Sequence, residues 1–132
     1  GVGYILVAPV REFFQGQGFR VESPGFLKGK SSASHMFDIV ASKGDIARHL
    51  IVVDLATSPE DTVSEQSIIA MFAKVYDVMP DKAYLIAIPR MNENGRKLAN
   101  LYKIELVEAK NQKEALKALE ISLVNAPVQT PR

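Results

Sequence analysis

The stretches His35-Met36-Phe37-Asp38-Ile39-Val40-Ala41 and Leu50-Ile51-Val52-Val53-Asp54-Leu55-Ala56 decide how this chain is read. Each is an apolar, β-branched run of strand length interrupted by one acid. A carboxylate inside a strand is costly to bury unless it is paired or used. Residues 36–41 and 49–55 read as strands joined by the turn Ser42-Lys43-Gly44-Asp45. The second run is apolar almost throughout, which predicts a central strand covered on both sides. Two acids on neighbouring strands offer hard oxygen ligands for one divalent ion such as Mg²⁺. The alternative is structural: Asp54 caps a loop amide and Asp38 pairs with a nearby Lys or Arg.

Outward from this pair, apolar periodicity predicts the remaining elements. Towards the N-terminus lie a helix over about 9–16, with Pro9 in its first turn or with an extended or kinked stretch upstream of it and with Gly16 and Gly18 at its end, and a short strand over 19–22. Beyond the pair, Thr62 or Ser64 caps a helix whose buried face is Ile68, Ile69, Phe72, Val75 and Tyr76, closed before Pro80. A strand over 83–88 follows, then a helix capped by Asn92 or Asn94 and running to about Tyr102. A strand over 104–107 and a helix over 112–123 with a Leu116, Leu119, Leu123 stripe complete the order. This α-β-β-β-α-β-α-β-α order predicts one α/β domain over 1–126 with a central mixed sheet flanked by helices, and a right-handed crossover in its second half. Residues 127–132 read as a tail or the start of a linker.

Composition narrows the function classes. The chain has 132 residues, 47% of them apolar, enough for one core. Sixteen basic against fifteen acidic residues leave a net charge of +1, so bulk electrostatics would attract nucleic acid only weakly. The absence of Cys excludes disulfides, thiolate catalysis and Cys-ligated metals. No apolar run approaches the ~20 residues of a membrane span, and no signal-like segment is present. Together these features lead us to expect a cytoplasmic protein with no membrane partner.

Further residues can carry chemistry. Glu12, on the first helix, is a candidate third metal ligand, provided that helix packs near Asp38; otherwise it is a solvated surface acid. Lys28-Gly29-Lys30-Ser31-Ser32 forms the one compact basic loop, able to grip backbone phosphates without reading bases. Gly29-Lys30-Ser31 is not a triphosphate-cradling loop, because position 24 is Pro rather than Gly and a strand follows. His35 precedes Asp38 by three residues, which puts the two on opposite faces of a regular strand; it is a phosphate partner or a structural residue. Lys74, on the helix after Asp54, either reaches the acids or faces solvent. Arg90, Arg96 and Lys97 form a second basic area near the sheet end, or ordinary surface charge.

From about Val10 to Leu119 the chain resembles the PD-(D/E)xK, or restriction-endonuclease-like, superfamily, in particular its Mrr-like archaeal domains. The resemblance rests on Gly18-Phe19-Arg20-Val21, on Ser31 through Asp38, on Ile51 through Ala56, and on Tyr84 through Pro89 with Ile104 through Glu108. It implies a three-layer fold, with Asp38 and Asp54 matching the two metal-binding acids and Glu12 the helix acid. Two positions depart from the pattern. Phe37 replaces the proline that names the motif, and Ala56 stands where the family carries its catalytic lysine.

Three functions follow as expectations. The first in order is a domain that binds nucleic acid, with Lys28, Lys30, Ser31, Ser32 and His35 as contacts, and has lost catalysis. The second is a Mg²⁺-dependent endonuclease in which Asp38 and Asp54 hold the metal and Lys74, as a migrated lysine, orients water. The third is a protein-interaction domain of a regulatory protein, acting on a partner or a fused domain. A homodimer is compatible with each.

Overall fold

Strand β5, His49–Thr57, lies at the centre of the sheet in the computed structural model, which describes residues 2–124. It pairs antiparallel with β4, Ile39–Lys43, and parallel with β6, Lys82–Ile88. Beyond them β1, Arg20–Glu22, lies antiparallel on β4, and β7, Glu105–Glu108, parallel on β6. The five-stranded mixed sheet therefore runs β1-β4-β5-β6-β7. Val52 and Val53 are both fully buried although adjacent strand residues face opposite ways, so both faces of β5 are covered, as its uninterrupted apolar run requires.

Each face has its own core. On one, Ile39, Ala41, Ile51, Val53, Tyr84 and Ile86 pack against Val10 and Phe14 of α1, Val2–Gly16, and Ala115 and Leu119 of α4, Gln112–Val124. On the other, Val40, Val52, Ala83, Leu85 and Ala87 pack against Ile68 and Met71 of α2, Gln66–Val78, and Ala99 of α3, Glu93–Tyr102. The result is a three-layer α/β fold. None of its described helices is long and apolar enough to cross a membrane.

The helix limits follow local chemistry. Ser64 accepts the Gln66 amide at 3.2 Å, and the Asn92 carboxamide accepts the Gly95 amide at 2.8 Å. Met79, in the left-handed region at φ 54°, ends α2 just before Pro80. Helix α1 takes the upstream extension that the sequence leaves open: it runs from Val2 with Pro9 inside, a position that forgoes one main-chain hydrogen bond. The expected tail over 127–132 lies outside the described residues.

The largest departure from expectation lies between β1 and β4. The segment read as Phe26-Leu27 leading into a loose basic loop is a hairpin of β2, Gly25–Lys28, and β3, Ser34–Phe37. The strand expected over 36–41 is broken at Asp38, where the chain leaves the hairpin and enters the main sheet. Gly25, Leu27, His35 and Phe37 form the hairpin's inner side and Phe26, Lys28, Ser34 and Met36 its outer side, matching the alternating burial of both strands. Buried Gly25 allows this approach, because a Cβ there would overlap the Val40 side chain. Gly25→Ala is therefore expected to destabilise the fold by about 1–3 kcal/mol, the usual cost of overpacking. Urea denaturation checks this; an unchanged midpoint would show that the hairpin does not press on β4.

Candidate active site

Asp38 and Asp54 interlock through main-chain amides at and beside each other. The Asp38 amide donates to Asp54 Oδ1 at 3.0 Å, and the Leu55 amide donates to Asp38 Oδ2 at 2.7 Å. This exchange explains the break in the strand. An amide that would have served a ladder is turned onto a carboxylate, and β3 and β4 part at that point. Asp54 lies on the α2–α3 side of the sheet, because along β5 it alternates with Val53 and Leu55, which belong to the α1–α4 side.

Lys74 of α2 closes the group from above. Its Nζ donates to Asp54 Oδ2 at 2.6 Å and to the Met36 carbonyl at 2.8 Å, and sits 4.5 Å from the centroid of the Phe37 ring. The aromatic face and the carbonyl both favour a cation there. An ammonium has three N–H groups, so one remains beyond these two bonds. Position 56, the expected place of a lysine, holds a half-buried Ala packed into the α2–α3 core.

Burial pushes the Asp38 carboxyl above its ordinary range, and the negative charge of Asp54 pushes it the same way. The Leu55 amide and Lys74 offset this only in part. Asp38 Oδ1 makes no hydrogen bond among the described residues. Two repelling, half-buried carboxylates, Asp38 with a spare oxygen and Asp54 paired with Lys74, could together hold a divalent cation. The same region offers no third ligand, since no cluster of three His, Cys, Asp or Glu occurs among the described residues. A Mg²⁺ ion that keeps several waters suits such a two-carboxylate site.

Glu12 stays apart from this group. Helix α1 covers the opposite sheet face, and Glu12 is exposed on it, so the sheet separates it from the pair. The condition on which its ligand role depended, that α1 pack near Asp38, is not met.

The basic loop also differs from expectation. Asp77, one helical turn beyond Lys74 on the same side of α2, pins the hairpin. Its carboxylate accepts the Ser31 amide at 2.9 Å and the Ser31 hydroxyl at 2.6 Å and pairs with His35 Nε2 at 2.7 Å, while its main-chain carbonyl takes the Lys30 amide at 3.0 Å. Ser31 and His35, expected as phosphate contacts, thus have these groups occupied inside the protein. Lys28, Lys30 and Ser32 are exposed, and neither lysine forms an ion pair among the described residues. The role of Asp77 was not visible in sequence, where it marked only the end of a helix. Of the second basic area, Arg96 pairs with Glu108 at 2.9 Å and Lys97 with Glu93 at 3.8 Å, while Arg90 is exposed.

The Ser31 hydroxyl, then His35, then the Ser31 amide lower the Asp77 carboxyl to about 2. A folded-state value below the unfolded one contributes stability that is complete above the ordinary carboxylate range and fades as pH falls towards 2. The difference in melting temperature between wild type and Asp77→Ala is expected to be largest above about pH 4 and to shrink in acid. Thermal melts across that range check this, and a pH-independent difference would contradict it.

No family model matches the chain, and no curated protein matches it. Two solved structures do. The protein of unknown function AF1548 superposes with a TM-score of 0.67 at 16% identity, over 96% of this chain and 73% of its own. The MspJI restriction endonuclease, in complex with a 27-mer oligonucleotide, superposes with a TM-score of 0.52 at 15% identity, over 90% of this chain but only 28% of its own. At such identities the likeness speaks for architecture alone. The central mixed sheet and its flanking helices give this chain a restriction-endonuclease-like fold.

Proposed function

We propose that this domain is a Mg²⁺-dependent nuclease that hydrolyses DNA phosphodiesters. The observation that carries the reading is the Lys74 ammonium on Asp54, in the carboxylate group that also includes Asp38. Asp38 and Asp54 would hold the metal, which when bound polarises a phosphoryl oxygen and acidifies water. Lys74 supplies what Ala56 lacks. Its stem comes from α2 rather than β5, yet the charge is delivered beside the second acid. With two N–H groups held by Asp54 and Met36, its third can orient a water or a phosphate oxygen, and its positive charge offsets charge gathering on the phosphoryl group. The Phe37 ring lies against one side of it.

Cleavage of single- and double-stranded DNA in Mg²⁺, and its loss in Asp38→Ala, tests the reading. Absence of metal-dependent cleavage together with salt-sensitive DNA binding would instead support a non-catalytic nucleic-acid-binding domain. Absence of both would point to a protein partner.

A further inference from the structure

The outer side of hairpin β2–β3 has no role in the site described above, yet it carries two large apolar side chains. Phe26 and Met36 are cross-strand partners, exposed at 61% and 49%. Isolated exposed apolar residues are common, but these two are adjacent, on one face, and rigidly supported. The inner side is packed through Phe37 and Leu27, and Asp77 ties the turn to α2. Lys28 shares the outer side with Phe26, and Lys30 stands in the turn. With no ion pair among the described residues, both cations are available to an external anion.

We infer that this outer side is a base-stacking platform for a single strand of nucleic acid, with Phe26 and Met36 under the bases and Lys28 and Lys30 at the phosphates. Nucleic acid combines flat apolar faces with a regular anionic backbone, and sites for single strands combine aromatic platforms with cations in the same way. Continuity selects this occupant over a protein. Met36 is two residues from Asp38, about 7 Å along an extended chain, and its carbonyl holds Lys74. A strand lying across the hairpin would thus run along β3, which ends beside Asp38. The inference deepens the nuclease reading, on which its direction of delivery rests, by naming the substrate class as unpaired or locally opened strands.

The test uses the whole chain without divalent ions, so that nothing is cut. The probes are a labelled single-stranded oligonucleotide of mixed sequence and the same backbone with abasic sites. Phe26→Ala with Met36→Ala is expected to weaken binding of the intact strand about tenfold, with no change in salt dependence and little change for the abasic strand. Lys28→Ala with Lys30→Ala is expected to weaken both strands and flatten the salt dependence. Melting temperature verifies that the variants fold. Equal affinity of wild type and the Phe26–Met36 variant for the intact strand would overturn the inference, as would equal losses on both probes or no binding by wild type. Cleavage by wild type in Mg²⁺ is scored separately. Cleavage with unchanged binding overturns the platform alone, and base-dependent binding without cleavage overturns the nuclease reading alone.

Discussion

Lys74→Met is expected to lower Mg²⁺-dependent cleavage about 100- to 1000-fold, the usual cost of removing one preorganised charge at a reacting group. Methionine keeps much of the apolar stem and loses only the ammonium. The variant should also be less stable near neutral pH, because Asp54 loses its ion pair at 2.6 Å while Asp38 stays close by. Relocating the lysine separates a chemical role from a structural one. Residue 56 lies two positions after Asp54 and so on the same face of β5. Ala56→Lys in the Lys74→Met background is expected to recover cleavage by tenfold or more. Initial rates on a labelled oligonucleotide measure both effects. Full activity in Lys74→Met would show that the ammonium serves only to neutralise Asp54.

Asp38→Asn is expected to reduce cleavage more than about 1000-fold, because a metal-held phosphoryl oxygen contributes several kcal/mol to the barrier. Its effect on stability should have the opposite sign. Burial and the charge of Asp54 raise the Asp38 carboxyl above its unfolded value. Such a group favours folding below the unfolded value, and that contribution is lost as pH rises through the folded one. At neutral pH and without metal the ionised Asp38 therefore opposes folding. Asparagine removes the charge and keeps an oxygen for the Leu55 amide. The variant should melt above wild type at pH 7, with the gap closing in acid. Mg²⁺ should raise the melting temperature of wild type and not that of the variant. A lower melting temperature for Asp38→Asn at pH 7 would contradict the strain assigned to this carboxyl.

What the sequence could reveal follows from which interactions are local. The strands at 49–57 and 82–88 are legible, as 49–55 and 83–88, because burial on both faces leaves an unbroken apolar run. The two acids stood out for the same reason: a carboxylate is conspicuous only against apolar neighbours. The Asn92 cap and the Ser64 bond to the Gln66 amide, just ahead of α2, depend on residues two or three positions apart and are legible too. The hairpin was not, since Lys28 through Ser34 has the composition of a mobile loop and its order comes from Asp77, some 46 positions from Ser31. The break at Asp38 was hidden similarly, because the amide that breaks the strand bonds to Asp54, 16 positions away. Lys74 could be named as a candidate but not placed, because helical period alone does not say whether a lysine leans over the sheet edge or into solvent. Glu12 failed at a coarser level: amphipathicity shows that α1 has a buried face, not which side of the sheet it covers.

In the proposed nuclease Asp38, Asp54 and Lys74 act as one working unit, and residues that act as a unit are strongly non-additive. Initial cleavage rates in Mg²⁺ for wild type, Asp38→Ala, Lys74→Met and the double variant measure this. The double variant should be no slower than the slower single variant, with wild type well above all three. Losses that multiply, or a wild type that cleaves no DNA in Mg²⁺, would contradict it.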